Sequence, residues 1–226
     1  MKPLLIIPVA VLLAVGAGCG ADSVAGSDNA AKSETSATPS PTPIASPTPP
    51  APITVTQLKS ILPRLSDMKP GYTAKETRSG RNALFRIPCG AKAPAIYKMK
   101  VGAFEHFSSG GGVGEDTTFA AAYAYSTAGE ARAALDEIRA KFEGCKIDKL
   151  DGGIRMTYSE ISTGGDLGDD SYGVIADTHD VGTFIHVWVI TGRVLTWIMN
   201  GSQISNLPAD AITLAKNESL DAESLR

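Results

Sequence analysis

Thr183-Phe184-Ile185-His186-Val187-Trp188-Val189-Ile190-Thr191, then Gly192-Arg193, then Val194-Leu195-Thr196-Trp197-Ile198-Met199-Asn200 is the stretch from which the rest of the chain is placed. Two runs rich in β-branched and aromatic residues flank a two-residue turn signal, which is the pattern of a β-hairpin. A turn at Gly192-Arg193 sets the register. Trp188 then falls opposite Trp197, His186 opposite Met199 and Ile190 opposite Leu195, while Val187 and Ile198 pair on the other face. Side chains alternate between faces along a strand, so a hairpin that is apolar on both faces needs cover on both. It belongs in the middle of a sheet.

Outward from the hairpin, strands are expected near residues 154–161 and 172–177, and further upstream near 101–107 and 118–125. Between these two groups lies the clearest helix. Thr127 with Glu130 forms a capping-box pattern, and Ala131, Ala134, Leu135, Ile138 and Phe142 fall on one face at helical spacing. Gly144 suits its end. A short helix capped by Thr54 or Thr56 carries Val55, Leu58, Ile61 and Leu62 near the start of the domain. A closing helix runs from Pro208 to about Asn217 with Ala211, Ile212 and Leu214 inward, ahead of a polar tail expected to fray. Residues 72–100 read as irregular. The fold class is therefore α+β: one domain, a mainly antiparallel sheet packed with two or three helices.

Ahead of this domain the composition changes. Met1 and Lys2 precede an apolar run, residues 3–15, and Gly16-Ala17-Gly18 leads into Cys19. That is the charged start, apolar centre and small-residue cleavage site of an export signal. The run is shorter than the roughly 20 residues that a spanning helix needs. A plain cleaved signal and an uncleaved anchor are the alternatives. The cysteine directly after small residues resembles a bacterial lipoprotein box, although Gly16 stands where that family has an aliphatic residue. The resemblance implies a signal over residues 1–18, diacylglycerol on Cys19, and a location on the outer side of the cell membrane. Each buried methylene of such an anchor contributes about 0.8 kcal/mol. Residues 19–52 are rich in Ala, Ser, Thr and Pro and cannot bury enough apolar surface to fold, so they are expected to form a disordered stalk. The folded domain is placed at residues 53–226.

A net charge of -3 and a pI near 5.6 give no footprint for nucleic acid. With Cys19 assigned to lipid, the other two of three cysteines, Cys89 and Cys145, form an even pair in an exported chain. They read as one disulfide, worth about 4 kcal/mol on the chain-entropy model. It would pin the end of the main helix to the loop Ile87-Pro88-Cys89-Gly90.

Motifs for chemistry are sparse. The loop 108–114 is glycine-rich but lacks the Lys-Ser/Thr ending and strand-to-helix setting of a phosphate cradle. Asp166, Asp169 and Asp170 match no EF-hand spacing and read as an acidic turn. His106, His179 and His186 show no paired ligand spacing, and no Gly-x-Ser-x-Gly elbow is present. No metal or cofactor is expected. Phe184, His186, Trp188 and Trp197 form the one candidate ligand cleft, because aromatic surfaces with a polar edge suit small-molecule sites. Core packing beneath a helix is the competing reading.

The order of features resembles a known family. Leu62-Pro63, Pro70-Gly71, Cys89 in a loop, the run from Tyr123 to Thr127, an Ala-rich helix, Cys145, Gly168-Asp169 and the hydrophobic hairpin follow the layout of the PknH-type extracellular sensor domain. That domain occurs on actinobacterial receptor kinases and lipoproteins. The resemblance implies an α+β domain with a cleft and a poorly defined ligand. The kinase members carry two disulfides where this chain has cysteines for one, and the hairpin here is more aromatic. A lipoprotein with a PsbP/Mog1-like fold is the rival layout. The function expected is a non-catalytic binding or sensor-like module, its partners the membrane through Cys19 and an unidentified envelope ligand or protein. A hydrolase acting on the cell wall and a structural or assembly factor of the envelope are the alternatives.

Overall fold

The computed structural model describes residues 50–81, 85–110, 115–179, 181–202 and 208–226. The signal, Cys19 and nearly all of the proline-rich stalk lie outside the described residues, as do 111–114 of the glycine loop.

The hairpin forms as its turn dictates. Strands β7 (Gly182–Thr191) and β8 (Val194–Ser202) pair Trp188 with Trp197, His186 with Met199, Ile190 with Leu195 and Val187 with Ile198. Gly192 makes the turn at φ 57°, a left-handed conformation that glycine adopts without steric cost. Around the hairpin run β1 (Thr73–Gly80), β2 (Val101–Ser108), β3 (Thr117–Ala124), β4 (Ile147–Lys149), β5 (Arg155–Ile161) and β6 (Asp170–Thr178). The eight strands form one antiparallel sheet in the order β1-β2-β3-β8-β7-β6-β5-β4, with the hairpin at its centre.

Each face has its own cover. Helix α2 (Ala128–Gly144) lies against β6, β7 and β8 on one face. Its buried stripe is Ala131, Ala134, Leu135, Ile138 and Phe142, the residues that the spacing predicts. Thr127 Oγ1 accepts from the Glu130 amide at 3.1 Å, as a cap should. The Glu130 carboxylate accepts instead from the Ser126 amide at 2.9 Å, one residue upstream of a regular capping box. On the opposite face, α1 (Val55–Ile61) and α3 (Pro208–Ala222) cover Ile185, Val187, Val189 and Ile198. Thr54, not Thr56, caps α1 in a full capping box with Gln57. Burying residues such as Val187 and Ile198 completely contributes about 1.5–3 kcal/mol each.

Two expectations need correction. Residues 72–100 are not wholly irregular, since β1 is an eight-residue edge strand pairing β2. Nearly all of its residues are exposed on both faces, so Thr-Ala-Lys-Glu-Thr-Arg-Ser-Gly shows no apolar alternation. The C-terminal tail does not fray. The closing helix continues past Asn217 to Ala222, because Ala215, Ser219 and Ala222 extend the buried stripe begun by Ala211. Leu225 is buried beyond it, and Arg226 Nη2 donates to Asp169 Oδ1 at 2.7 Å. The disulfide Cys89–Cys145 is present. It joins the end of α2 to the loop carrying Ile87 and Pro88.

Candidate functional site

Strand alternation puts one set of hairpin residues under α2. Antiparallel pairing lines up Tyr172, Trp188, Trp197, Ala121 and Phe104 in one cross-strand row. The next row is Val174, His186, Met199, Phe119 and His106, and the third is Ala176, Phe184, Gly201, Thr117 and Ser108. Helix α2 covers the first row and ends above the second. What its last turn leaves uncovered is a cavity of about 230 Å³ floored by Phe184, His186, Met199 and Phe119. Phe142 from the last turn of α2, Phe85 and Arg86 beside the Cys89 loop, and Met156 and Tyr158 from β5 wall it.

Of the four aromatic candidates, Phe184, His186 and Trp197 line this cavity. Trp188 does not. It is fully buried, with Phe85 and Phe142 packed on it at ring-centroid distances of 5.8 and 5.0 Å. Its position one row closer to the middle of α2 places it in the core, and it supports the cleft floor from the side by stacking on His186 at 5.4 Å. Both readings of the aromatic set therefore apply, each to different residues.

The His186 ring lies between Trp188 and Trp197, nearly parallel to both. Trp197 Nε1 donates to His186 Nδ1 at 3.3 Å. An accepting Nδ1 assigns the ring proton to Nε2. Burial pushes the pKa of His186 down to about 3, so the ring is neutral at physiological pH. The floor is thus uncharged, aromatic and flat. Phe184 lies against Gly201 so closely that a Cβ there would meet its ring at 2.7 Å. Glycine at this point lets the ring lie down on the sheet and widens the floor.

The rim is polar and braced. Asp148 of β4 is buried, and Arg86 Nε and Nη2 donate to its two carboxylate oxygens at 3.2 and 3.3 Å. Tyr158 Oη donates to Asp148 Oδ2 at 3.1 Å. Burial is the largest single influence on this carboxyl and opposes its ionisation. The bonds from Arg86, the Cys89 backbone and Tyr158 together outweigh it and hold the pKa below the ordinary value. The same burial and the adjacent Asp148 charge raise the Tyr158 phenol. These bonds tie the Cys89 loop to the far edge of the sheet.

A second depression of about 300 Å³ adjoins the first across Phe119 and Phe184 and extends to His106. His106 stacks on Phe119 at 4.1 Å and shares a hydrogen bond of 2.9 Å with Thr117 Oγ1. His106 and His186 stand three strand spacings apart, roughly 14 Å. That is too far to share a metal ion. His179 is exposed, 3.6 Å from Asp177. Asp169 accepts from the Gly192 amide and from Arg226, and Asp170 from Arg132 and Arg139, so both carboxylates brace the structure around the hairpin turn. Among the described residues no three acidic, histidine or cysteine side chains gather as metal ligands would.

Eight further residues line the cleft beyond those expected from the sequence: Phe85, Arg86, Phe119, Phe142, Leu150, Met156, Tyr158 and Met199. Met199 and Phe119 were legible in principle. Met199 is the strand partner of His186, and Phe119 continues the same row on β3. The wall residues come from loops and a distant strand, and no local spacing announces them.

No protein-family model matches the chain, and no curated protein matches it in sequence. Among solved structures, the chain is similar to the extracellular domain of PknH from Mycobacterium tuberculosis. The identity is 12% and the TM-score 0.62, over 77% of this chain and 98% of that one. The likeness is one of fold.

Proposed function

We propose that this protein is a non-catalytic binding and sensor-like module that works outside the cytoplasm, anchored to the membrane by lipid on Cys19. Its cleft takes an apolar or aromatic group of an envelope ligand. The observation that carries the reading is the half-buried floor of Phe184, His186 and Met199, which lines a cavity beside an otherwise closed core. An apolar surface of this kind, rimmed by polar residues, marks an interaction site. The fold shared with an extracellular sensor domain and the disulfide Cys89–Cys145 support an extracytoplasmic setting. Absence of catalysis is supported by His186, whose Nδ1 lone pair is taken by the Trp197 indole while Nε2 carries the ring proton, so that neither nitrogen is free to act as a base. Asp148, buried behind the wall, is engaged by Arg86 and Tyr158.

The anchor is tested by intact mass and detergent-phase partitioning of the full chain from its native membrane, beside Cys19→Ala. A diacylglyceryl increment and detergent-phase recovery, both lost in the variant, are expected. A cleaved, unmodified, freely released protein would contradict the anchor. For the cleft, titration with 8-anilinonaphthalene-1-sulfonate should saturate with one probe per chain. A linear, unsaturable signal would contradict the binding role.

A further inference from the structure

On the other face of the sheet, a cavity of about 310 Å³ lies between α3 and the segment that follows α1. Its lining includes Ile61, Arg64, Asp67, Leu214, Glu218 and Asp221. Glu218 occupies a position in the buried stripe of α3, one turn after Ala215, and is 1% exposed. Neither of its carboxyl oxygens has a hydrogen-bond partner among the described residues. A leucine or alanine would serve the packing of α3 better. A buried carboxyl group that makes no bond weakens the fold and returns nothing to it, unless a ligand completes the site.

We propose that this cavity binds the primary ammonium group of a small organic amine, with the Glu218 carboxylate as its counter-charge. The lining decides the class of ligand. Three carboxyl groups, those of Asp67, Glu218 and Asp221, face one guanidinium, that of Arg64, so a cation is favoured over an anion. Asp67 is partly committed to its own turn, accepting from the Arg64 amide at 2.7 Å, which leaves Asp221 as the main rim charge. A divalent metal needs six or more oxygens, several from acids. The three carboxyl groups share the lining of this cavity but are not gathered closely enough to hold one metal ion. An ammonium has three donors and no acceptor, a match for two buried carboxylate oxygens that make no hydrogen bond.

In the empty site, burial and the nearby Asp221 charge raise the pKa of Glu218 well above the ordinary value and so favour its neutral acid. Seating R–NH3+ favours the carboxylate, and the proton it displaces goes to solvent. No other bond forms or breaks. The experiment is isothermal titration of the full chain with 1,4-diaminobutane at pH 7.5 and constant ionic strength, in phosphate and in HEPES, neither of which carries a primary amine. Saturable binding is expected, with heats that differ between the buffers because a proton leaves Glu218. Glu218→Gln should lose at least tenfold in affinity and all of the buffer dependence, and Asp221→Asn a few-fold in affinity. Glu218→Leu should bind nothing while melting at or above the wild-type temperature, which separates lost binding from lost folding. The proposal is overturned by an absence of saturable heat, by equal affinity in Glu218→Gln, by heats that do not depend on buffer, or by saturation with calcium chloride in place of the amine.

Discussion

At neutral pH the His186 ring carries no charge, and two contacts depend on that state: the hydrogen bond from Trp197 to Nδ1 and the stacking on Trp188. The unfolded chain takes up a proton near pH 6.5 that the folded ring refuses until about pH 3. Stability due to His186 is therefore fully present above pH 6.5 and falls as the pH drops through that window. Between pH 6 and 4.5 the wild-type slope should exceed that of His186→Phe by up to about 1.4 kcal/mol per pH unit, read from urea unfolding at each pH. Equal slopes would mean that the ring is accessible to protons in the folded state. His186 and its strand partner follow directly from the turn at Gly192-Arg193. Whether each aromatic side chain lay in the core or in a cleft did not, because alternation assigns a face and says nothing of where the covering helix stops. Trp188 and His186 share a face and differ by one row. The end of α2 separates them.

Helix α2 and the Cys89 loop make the cleft wall as a pair. Phe142 stands one turn before Cys145, and Phe85 and Arg86 lie just ahead of Cys89, so the disulfide couples the two sides of the opening. Replacing Cys89 and Cys145 by Ser should cost up to about 4 kcal/mol on the chain-entropy model, measured by thermal or urea unfolding. The same double variant should weaken probe binding in the cleft several-fold while leaving the Glu218 cavity unaffected. Loss of stability with unchanged cleft affinity would show that α2 packing alone sets the wall. Elements with strong periodicity were readable: α2 through its stripe and caps, the hairpin through its turn. β1 was not, because an edge strand with nearly all residues exposed has no buried face to imprint a pattern of two. The outer half of α3 was obscured by Lys216, Asn217 and Glu218. The stripe of Ala211, Ala215, Ser219 and Ala222 is made of small side chains that register weakly as apolar.

For the whole molecule, the hairpin's two apolar faces explain the architecture. One face is closed by α1 and α3, the other is closed by α2 over half its length and left open over the rest. The layered fold and the single disulfide were legible because they follow from alternation and cysteine count. The cleft was legible only in its floor, since its walls arrive from residues 85–86, 142 and 150–158, far apart in the chain. The central claim is that the open half of the sheet is a binding surface. Energy transfer from the two tryptophans to 8-anilinonaphthalene-1-sulfonate tests it most directly, in the wild type and in Met199→Glu, a charge placed on the cleft floor. The account predicts strong, saturable transfer in the wild type and at least a tenfold loss of affinity in the variant, with its cooperative thermal transition retained. Undiminished transfer in a folded Met199→Glu protein would place the probe elsewhere and contradict the cleft.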